Sequence, residues 1–462
     1  MQTPFKLVFL FFLSAVLTFV GCKKSEVALV NPAVTPTTPV NTTPAASPDV
    51  LKDSSLLIAR DIYLWNNQIP STFNAKSFAD LNKVMEGIRP YSIEPGFSAP
   101  VDRWSFAMKK TEWDQYSGGM GNAFGSSSTA DGDFGMTAFF RAEGDLRVRM
   151  VEPFSPAGIA GIQRGWRIKA VNGNSNITTG NADFIVNNLY NVNSTSFTFL
   201  KPDGSETTQS LQVAHYTKKP VYLDTVYSIG NKKIGYLVFN SFLGSQPAIQ
   251  SEFARVFNKF SSQGINELIV DLRYNGGGYV DLQTKLANYL VRSSATGQVM
   301  MKQVYNAKNA SNNETTFFQK SGSLQLDDIY FLVGRSTASA SELLINNLKP
   351  YTNVKLVGGT THGKPVGFFP IQVGEWYVFP VSFKTTNSVN QGSYFNGFAV
   401  DAQVADGLDK NWGDVAETML ASAINNIVNG SYLRAAPYDE PTNVAMGNSK
   451  LEEPLLKVTI DR

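Results

Sequence analysis

Between residues 221 and 430, short apolar runs alternate with stretches whose apolar side chains recur every three or four positions. The run IYFLV at 329–333 is apolar throughout and stops at Gly334, as expected of a strand buried on both faces. Small residues follow as far as Ser341, and Leu343, Leu344, Ile345 and Leu348 then take up helical spacing, with a second strand after them. Upstream, the pattern predicts a strand at 234–239 and a helix at 248–260 with Phe253, Val256, Phe257 and Phe260 on its inner face. A strong buried strand at 265–272 and a helix at 282–291 come next. Downstream it predicts strands at 376–381 and 397–400 and a helix at 415–428. Such βαβ alternation places helices on a largely parallel sheet.

Earlier segments have different periods. Leu51, Ile58, Ile62 and Trp65 mark one amphipathic helix, and Phe78, Leu81, Val84, Met85 and Ile88 a second, so 49–120 reads as a small helical domain. Its aromatics, including YLW at 63–65 and DRWSF at 102–106, read as core anchors. Residues 130–216 change to short strands and turns. The tail, 431–462, carries Pro437, Pro441 and Pro454 and reads as loop with one strand near 456–460.

Length and composition narrow the picture. A chain of 462 residues calls for two or three domains, and a formal charge of +2 gives no reason to expect nucleic acid as a partner. Two histidines, His215 and His362, argue against a His-rich metal site, and one cysteine, Cys22, excludes an intramolecular disulfide or a cysteine zinc site. No metal or other cofactor is expected. Lys6, an apolar run at 7–20 and Gly21-Cys22 form a signal-peptide core too short for the roughly 20 residues of a spanning helix. The stretch resembles a bacterial lipobox, with Phe19 where Leu is usual. The resemblance implies a signal peptide at 1–22, lipid attachment at Cys22 and a place in the bacterial cell envelope, facing the periplasm or cell surface. Residues 23–48, rich in Pro, Thr and Ala, then read as an extended tether.

Three pieces of 221–430 carry candidate chemistry. Thr337-Ala338-Ser339-Ala340-Ser341-Glu342 lies at a strand-to-helix turn, where a serine is either an N-cap or a nucleophile beside open helix N–H groups. Gly363-Lys364 lies in a later turn. A lysine there is either solvated or, if buried among Val366, Phe368 and Phe369, a base held neutral at about 1.36 kcal/mol for each unit of pKa lost. Asp271-Leu272-Arg273-Tyr274-Asn275-Gly276-Gly277-Gly278 lets the backbone approach a ligand. It lacks the Gly-Lys-Ser/Thr of a phosphate loop.

Two resemblances join these pieces. SPAGIAGI at 155–162 followed by GWRIKAVNG at 165–173 resembles the PDZ signature, with Trp166 in place of the usual Asp. That implies a domain that accepts extended peptides, its carboxylate-holding turn being Phe134, Gly135, Met136 and Thr137. The aromatic front, the PDZ-like segment, DLRYNGG, STASASE and GK occur in the order of the C-terminal processing, or tail-specific, serine/lysine peptidases. YLW and DRWSF resemble that family's lipoprotein branch in Bacteroidetes-type bacteria.

The family resemblance implies Ser339 as nucleophile, Lys364 as general base, and the N–H groups of Ala340 and Gly277 as oxyanion donors. It implies protein or peptide substrates and a multidomain α+β fold: helical front, PDZ-like β domain and an α/β crotonase/Clp-protease-like catalytic core at 221–430. Gly276 replaces a proline of the family pattern. Phe368 stands where many members have a glutamine that orients the lysine, which leaves Thr360 or Thr361 as candidates for that role. His362 matches no family position. The alternative is a catalytically weak or inactive, lipid-anchored peptide-binding protein on the same scaffold.

Overall fold

The computed structural model of the chain describes residues 47–119, 132–408, 410–433, 442–452 and 458–460. The signal segment, Cys22 and the tether up to residue 46 lie outside the described residues.

Helix α1 (Pro48–Ile62) opens the front segment, with the Ser47 hydroxyl accepting from Val50 N–H. Helix α2 (Leu81–Ile88) is capped by Asp80, and its buried Leu81, Val84, Met85 and Ile88 follow the predicted spacing. Strand β1 (Phe106–Lys109) and helix α3 (Lys110–Ser117) complete the segment. Beyond it, β2 (Met136–Ala142), β3 (Asp145–Val151), β4 (Arg167–Val171), β5 (Ser194–Leu200) and β6 (Glu206–Gln212) form one antiparallel sheet in sequential order, with β2 at an edge. Helix α4 (Pro156–Ile159) precedes β4 and α5 (Ala182–Tyr190) precedes β5. Phe140, Leu146, Val148, Ile168, Phe197 and Phe199 fill the core of this unit.

The sheet that carries the candidate site begins with β7 (Val221–Ile229) antiparallel to β8 (Lys232–Phe239), followed by helix α6 (Gln246–Ser262) and β9 (Glu267–Asp271). Strand β10 (Gly277–Tyr279) leads into α7 (Val280–Leu290). A four-stranded side sheet starts with β11 (Val299–Tyr305) and β12 (Glu314–Phe317). Strand β13 (Asp328–Val333), helix α8 (Ala340–Leu348) and β14 (Asn353–Gly358) form the predicted strand–helix–strand unit. Then come β15 (Val366–Gly367), β16 (Ile371–Val373), β17 (Trp376–Phe379), β18 (Phe383–Asn387) and β19 (Ala402–Gln403), and last α9 (Thr418–Asn429), α10 (Thr442–Glu452) and β20 (Val458–Ile460).

The main sheet runs β19-β14-β13-β9-β8-β7 and is parallel except at the β7 edge. Apolar residues of α6, α7 and α8 cover one face, while Met419, Leu420, Ala423 and Ile424 of α9 cover the other. Burial on both faces accounts for the unbroken apolar run at 329–333.

Three expectations are corrected. The front segment is not a helical domain with a core of its own. Strand β1 pairs antiparallel with β17, and the Phe106 and Phe379 rings stack at 4.4 Å. Tyr63, Trp65, Val84 and Trp104 share one core with Phe368 and Phe379, because two short helices cannot bury their apolar faces on each other alone. The strand expected at 397–400 is absent. There Phe398 N–H donates to Thr361 Oγ1 and its carbonyl accepts from Thr361 N–H, and the strand comes at β19 instead. The tail is not all loop, for α10 forms within it.

Candidate active site

Strand β13 ends at Val333, and a tight turn carries the chain into α8. Ser339, the residue before the helix, has φ 64° and ψ −117°. A non-glycine residue in that region costs about 1–3 kcal/mol and needs surroundings that hold it there. Its side chain does not cap the helix. Ser339 is 1% exposed, and its Oγ has no hydrogen-bond partner among the described residues. Ser341 instead gives its hydroxyl to the Asn275 carbonyl at 3.1 Å.

The buried Glu342 holds the turn. One of its oxygens, Oε2, accepts from the backbone N–H of Ser339 at 2.9 Å and of Lys364 at 2.8 Å. The other, Oε1, accepts from Gly363 N–H and from the Thr361 hydroxyl, both at 2.6 Å. One carboxylate thus joins two turns 25 residues apart in sequence. Burial raises its pKa, and these hydrogen bonds act the other way. The carboxylate was legible in the sequence only as the helix-capping partner of a serine; its three contacts with 361–364 depend on where β14 returns the chain.

Lys364 is 1% exposed. Burial holds its amine well below the ordinary lysine range, while the charges of Asp102 and Glu342 oppose that shift. Its Nζ lies 4.0 Å from the centre of the Phe368 ring and 6.0 Å from that of Trp104. Trp104 belongs to the front segment. There Asp102 takes hydrogen bonds from Tyr63 and Ser105 and fixes the turn that brings the tryptophan in.

The two threonines near the lysine differ in surroundings. Thr361 spends its hydroxyl proton on Glu342, and Thr360 faces solvent. His362 Nε2 accepts from Trp104 Nε1 at 3.0 Å.

The glycine loop after β9 lies against the serine turn. Asn275 accepts the Ala338 N–H at 3.1 Å through its carbonyl and the Gly277 N–H at 2.9 Å through its side chain. Ala340 opens α8, where its N–H has no intrahelical acceptor. Of the two expected oxyanion donors, Ala340 N–H is thus left open by the helix, whereas Gly277 N–H is taken by the Asn275 side-chain oxygen. Gly277 has φ 102° and Gly278 φ 140°. A Cβ on Gly278 would lie 2.3 Å from the Phe242 carbonyl carbon, so that position is closed to side chains.

Gly135, Met136 and Thr137 share a cleft with Gly276, Gly277 and Ser336. Phe134 does not reach it; its ring packs edge-on to Phe197 in the core of the five-stranded unit. Below the loop lies an ion network that sequence reading missed. Arg273, 3% exposed, is held by Asp271 at 2.8 Å and by Glu417 at 2.8 and 3.0 Å. Among the described residues no group of three His, Cys, Asp or Glu could hold a metal ion, and no helix is long and apolar enough to cross a membrane.

A strained, buried serine and a buried lysine are thus braced on one carboxylate at the carboxyl ends of a parallel sheet. Residues 233–402 match the model of peptidase family S41. A "Probable CtpA-like serine protease" of Staphylococcus aureus is 27% identical over 317 residues, covering 66% of this chain and 60% of that protein. A protein of the same description from Staphylococcus saprophyticus is 27% identical over 241 residues, covering 51% of this chain and 46% of its own length. The chain therefore spans about 60% or less of the length of these curated relatives. The fold is that of a "Putative S41 protease from Bacteroides fragilis", with a TM-score of 0.65 at 22% identity over 84% of this chain and 99% of that one.

Proposed function

We propose that the chain is a serine endopeptidase that cleaves protein substrates with a Ser339/Lys364 dyad. The observation that carries this is the single Glu342 oxygen shared by the Ser339 and Lys364 amides. It fixes both main chains to one point, as a nucleophile and its base require. Neutral Lys364 takes the Ser339 proton, and Oγ attacks a substrate carbonyl. Ala340 N–H, with Gly277 N–H once released from Asn275, stabilises the oxyanion. The protonated lysine then gives its proton to the leaving amine, and water hydrolyses the acyl-enzyme by the same route.

The five-stranded unit is proposed to be PDZ-like and to engage substrate tails near Gly135, Met136 and Thr137, a reading supported by the cleft these residues share with the glycine loop. The proposed setting is the bacterial cell envelope, with a lipid anchor at Cys22. Ser339→Ala and Lys364→Ala should each abolish cleavage of unfolded casein while leaving the thermal transition in place; full activity in either would reject the dyad.

One observation favours the second reading, a weak or inactive peptide-binding protein. The Phe368 ring 4.0 Å from Nζ favours a charged amine, which works against a base. Casein binding without turnover under all conditions, including after release of helix α10, would support it.

A further inference from the structure

Helix α10 lies against β2, against α5 and against the turn at Thr179–Asn181 that leads into α5. That is the groove between an edge strand and a helix where an added peptide strand would run. The contact is fitted along its length. Val444 and Leu451 are each 1% exposed and belong to the core of the five-stranded unit.

Gly447 lies where a Cβ would come within 3.0 Å of Thr179 and 3.3 Å of the Phe140 ring, which accounts for a glycine in mid-helix. Asn448 bonds the β2 edge at both its polar atoms. Its Oδ1 accepts from Phe140 N–H at 2.7 Å, and its Nδ2 donates to the Phe140 carbonyl at 2.9 Å. One carboxamide thereby satisfies the backbone pair that an incoming peptide strand would use. Farther on, β20 pairs in parallel with β10, Gly277 opposite Val458 and Tyr279 opposite Ile460, and it also touches β15 just beyond Lys364. Helix α10 and strand β20 therefore cover two strand edges, α10 that of β2 and β20 that of the glycine strand β10.

We infer that helix α10 and strand β20 are built-in competitors for substrate, α10 holding the groove and β20 the catalytic edge, and that extended polypeptide must displace them before cleavage. This rests on the peptidase reading for its consequence but not for its occupancy, and the two are separable by experiment. A site open in only a fraction of molecules binds more weakly by the reciprocal of that fraction.

The test uses the full chain with Asn448→Ala, which removes both bonds to Phe140, and with Val444→Asp, which expels the helix more strongly. Should Val444→Asp fail to fold, Asn448→Ala carries the test alone. Hydrogen exchange at the Phe140 amide reports release. Affinity for fluorescein-labelled unfolded casein is measured in a Ser339→Ala background, and casein cleavage in the active background.

The expected result is faster Phe140 exchange with casein affinity raised about tenfold or more, and kcat/KM raised in step. Tighter binding without cleavage in any variant would keep the competitor and reject the peptidase. Faster Phe140 exchange with unchanged casein affinity would overturn the competitor, whatever the cleavage rate.

Discussion

Substitution of Glu342 by glutamine tests how far the proposed dyad depends on one buried carboxylate. A carboxylate offers acceptors on both oxygens, and here each oxygen faces two donors: Ser339 and Lys364 N–H on one, Gly363 N–H and the Thr361 hydroxyl on the other. A carboxamide must turn its NH2 toward one of these pairs. The cheaper choice is the Gly363 side, because Thr361 Oγ1 can reverse and accept, as it already accepts from Phe398 N–H. That leaves the Gly363 N–H buried and unpaired, at about 1–3 kcal/mol. The two bonds kept on the other oxygen lose their charge assistance, about 1 kcal/mol each.

The sum is a loss of roughly 3–5 kcal/mol in stability, measured by urea denaturation. Displacement of the Lys364 turn should lower kcat on unfolded casein by about a hundredfold, the usual size of a 1 Å misplacement, while KM changes little. The reasoning fails if Glu342→Gln loses less than about 1 kcal/mol and keeps its kcat.

Other predictions follow from the same geometry. Burial depresses Lys364, so the acid limb of kcat/KM should lie well below the ordinary lysine range, with activity rising as pH rises through it. The unfolded chain binds the extra proton over that window, so stability also rises with pH there. Lys364→Met should remove that part of the pH dependence and stabilise the chain at neutral pH while abolishing cleavage; equal pH–stability curves for both proteins would contradict it. Phe368→Leu keeps the amine dry but removes the ring face that favours its charge, so the acid limb should move to lower pH; a move upward would contradict the role given to the ring. Glu417→Ala leaves Arg273 buried without its bidentate partner and should cost about 3–5 kcal/mol by urea denaturation. Gly135→Ala should disrupt the turn beside the cleft, since its φ is +74° and a Cβ would sit 1.9 Å from that of Ser155; an unchanged thermal midpoint would contradict this.

What could be seen in the sequence divides along physical lines. Buried parallel strands are continuous apolar runs, so β8, β9 and β13 were legible, as were α6, α7 and α8 from their inner faces. The serine and lysine turns were visible as small-residue and glycine punctuation, although local sequence left each with a structural alternative. Ser339 separates from its neighbours in three dimensions, by a φ that sequence does not encode and an Oγ left unpaired while Ser341 is bonded. The Glu342 clamp was hidden because its partners come from another turn, and the Arg273–Glu417 pair because 144 residues separate its members. The front segment read as a domain because its helices are amphipathic, but amphipathicity does not say which surface receives the apolar face. Helix α10 was obscured by the prolines around it, although Val444 and Leu451 share one face at a spacing of seven.

The nucleophile assignment is tested most directly by mapping where an alkyl fluorophosphonate attaches. Tandem mass spectrometry of the full chain, labelled across a range of pH, should find one adduct on Ser339. Labelling should rise with pH along the Lys364 limb and vanish in Ser339→Ala. An adduct on Ser336 or Ser341, with casein cleavage continuing in Ser339→Ala, would contradict the account.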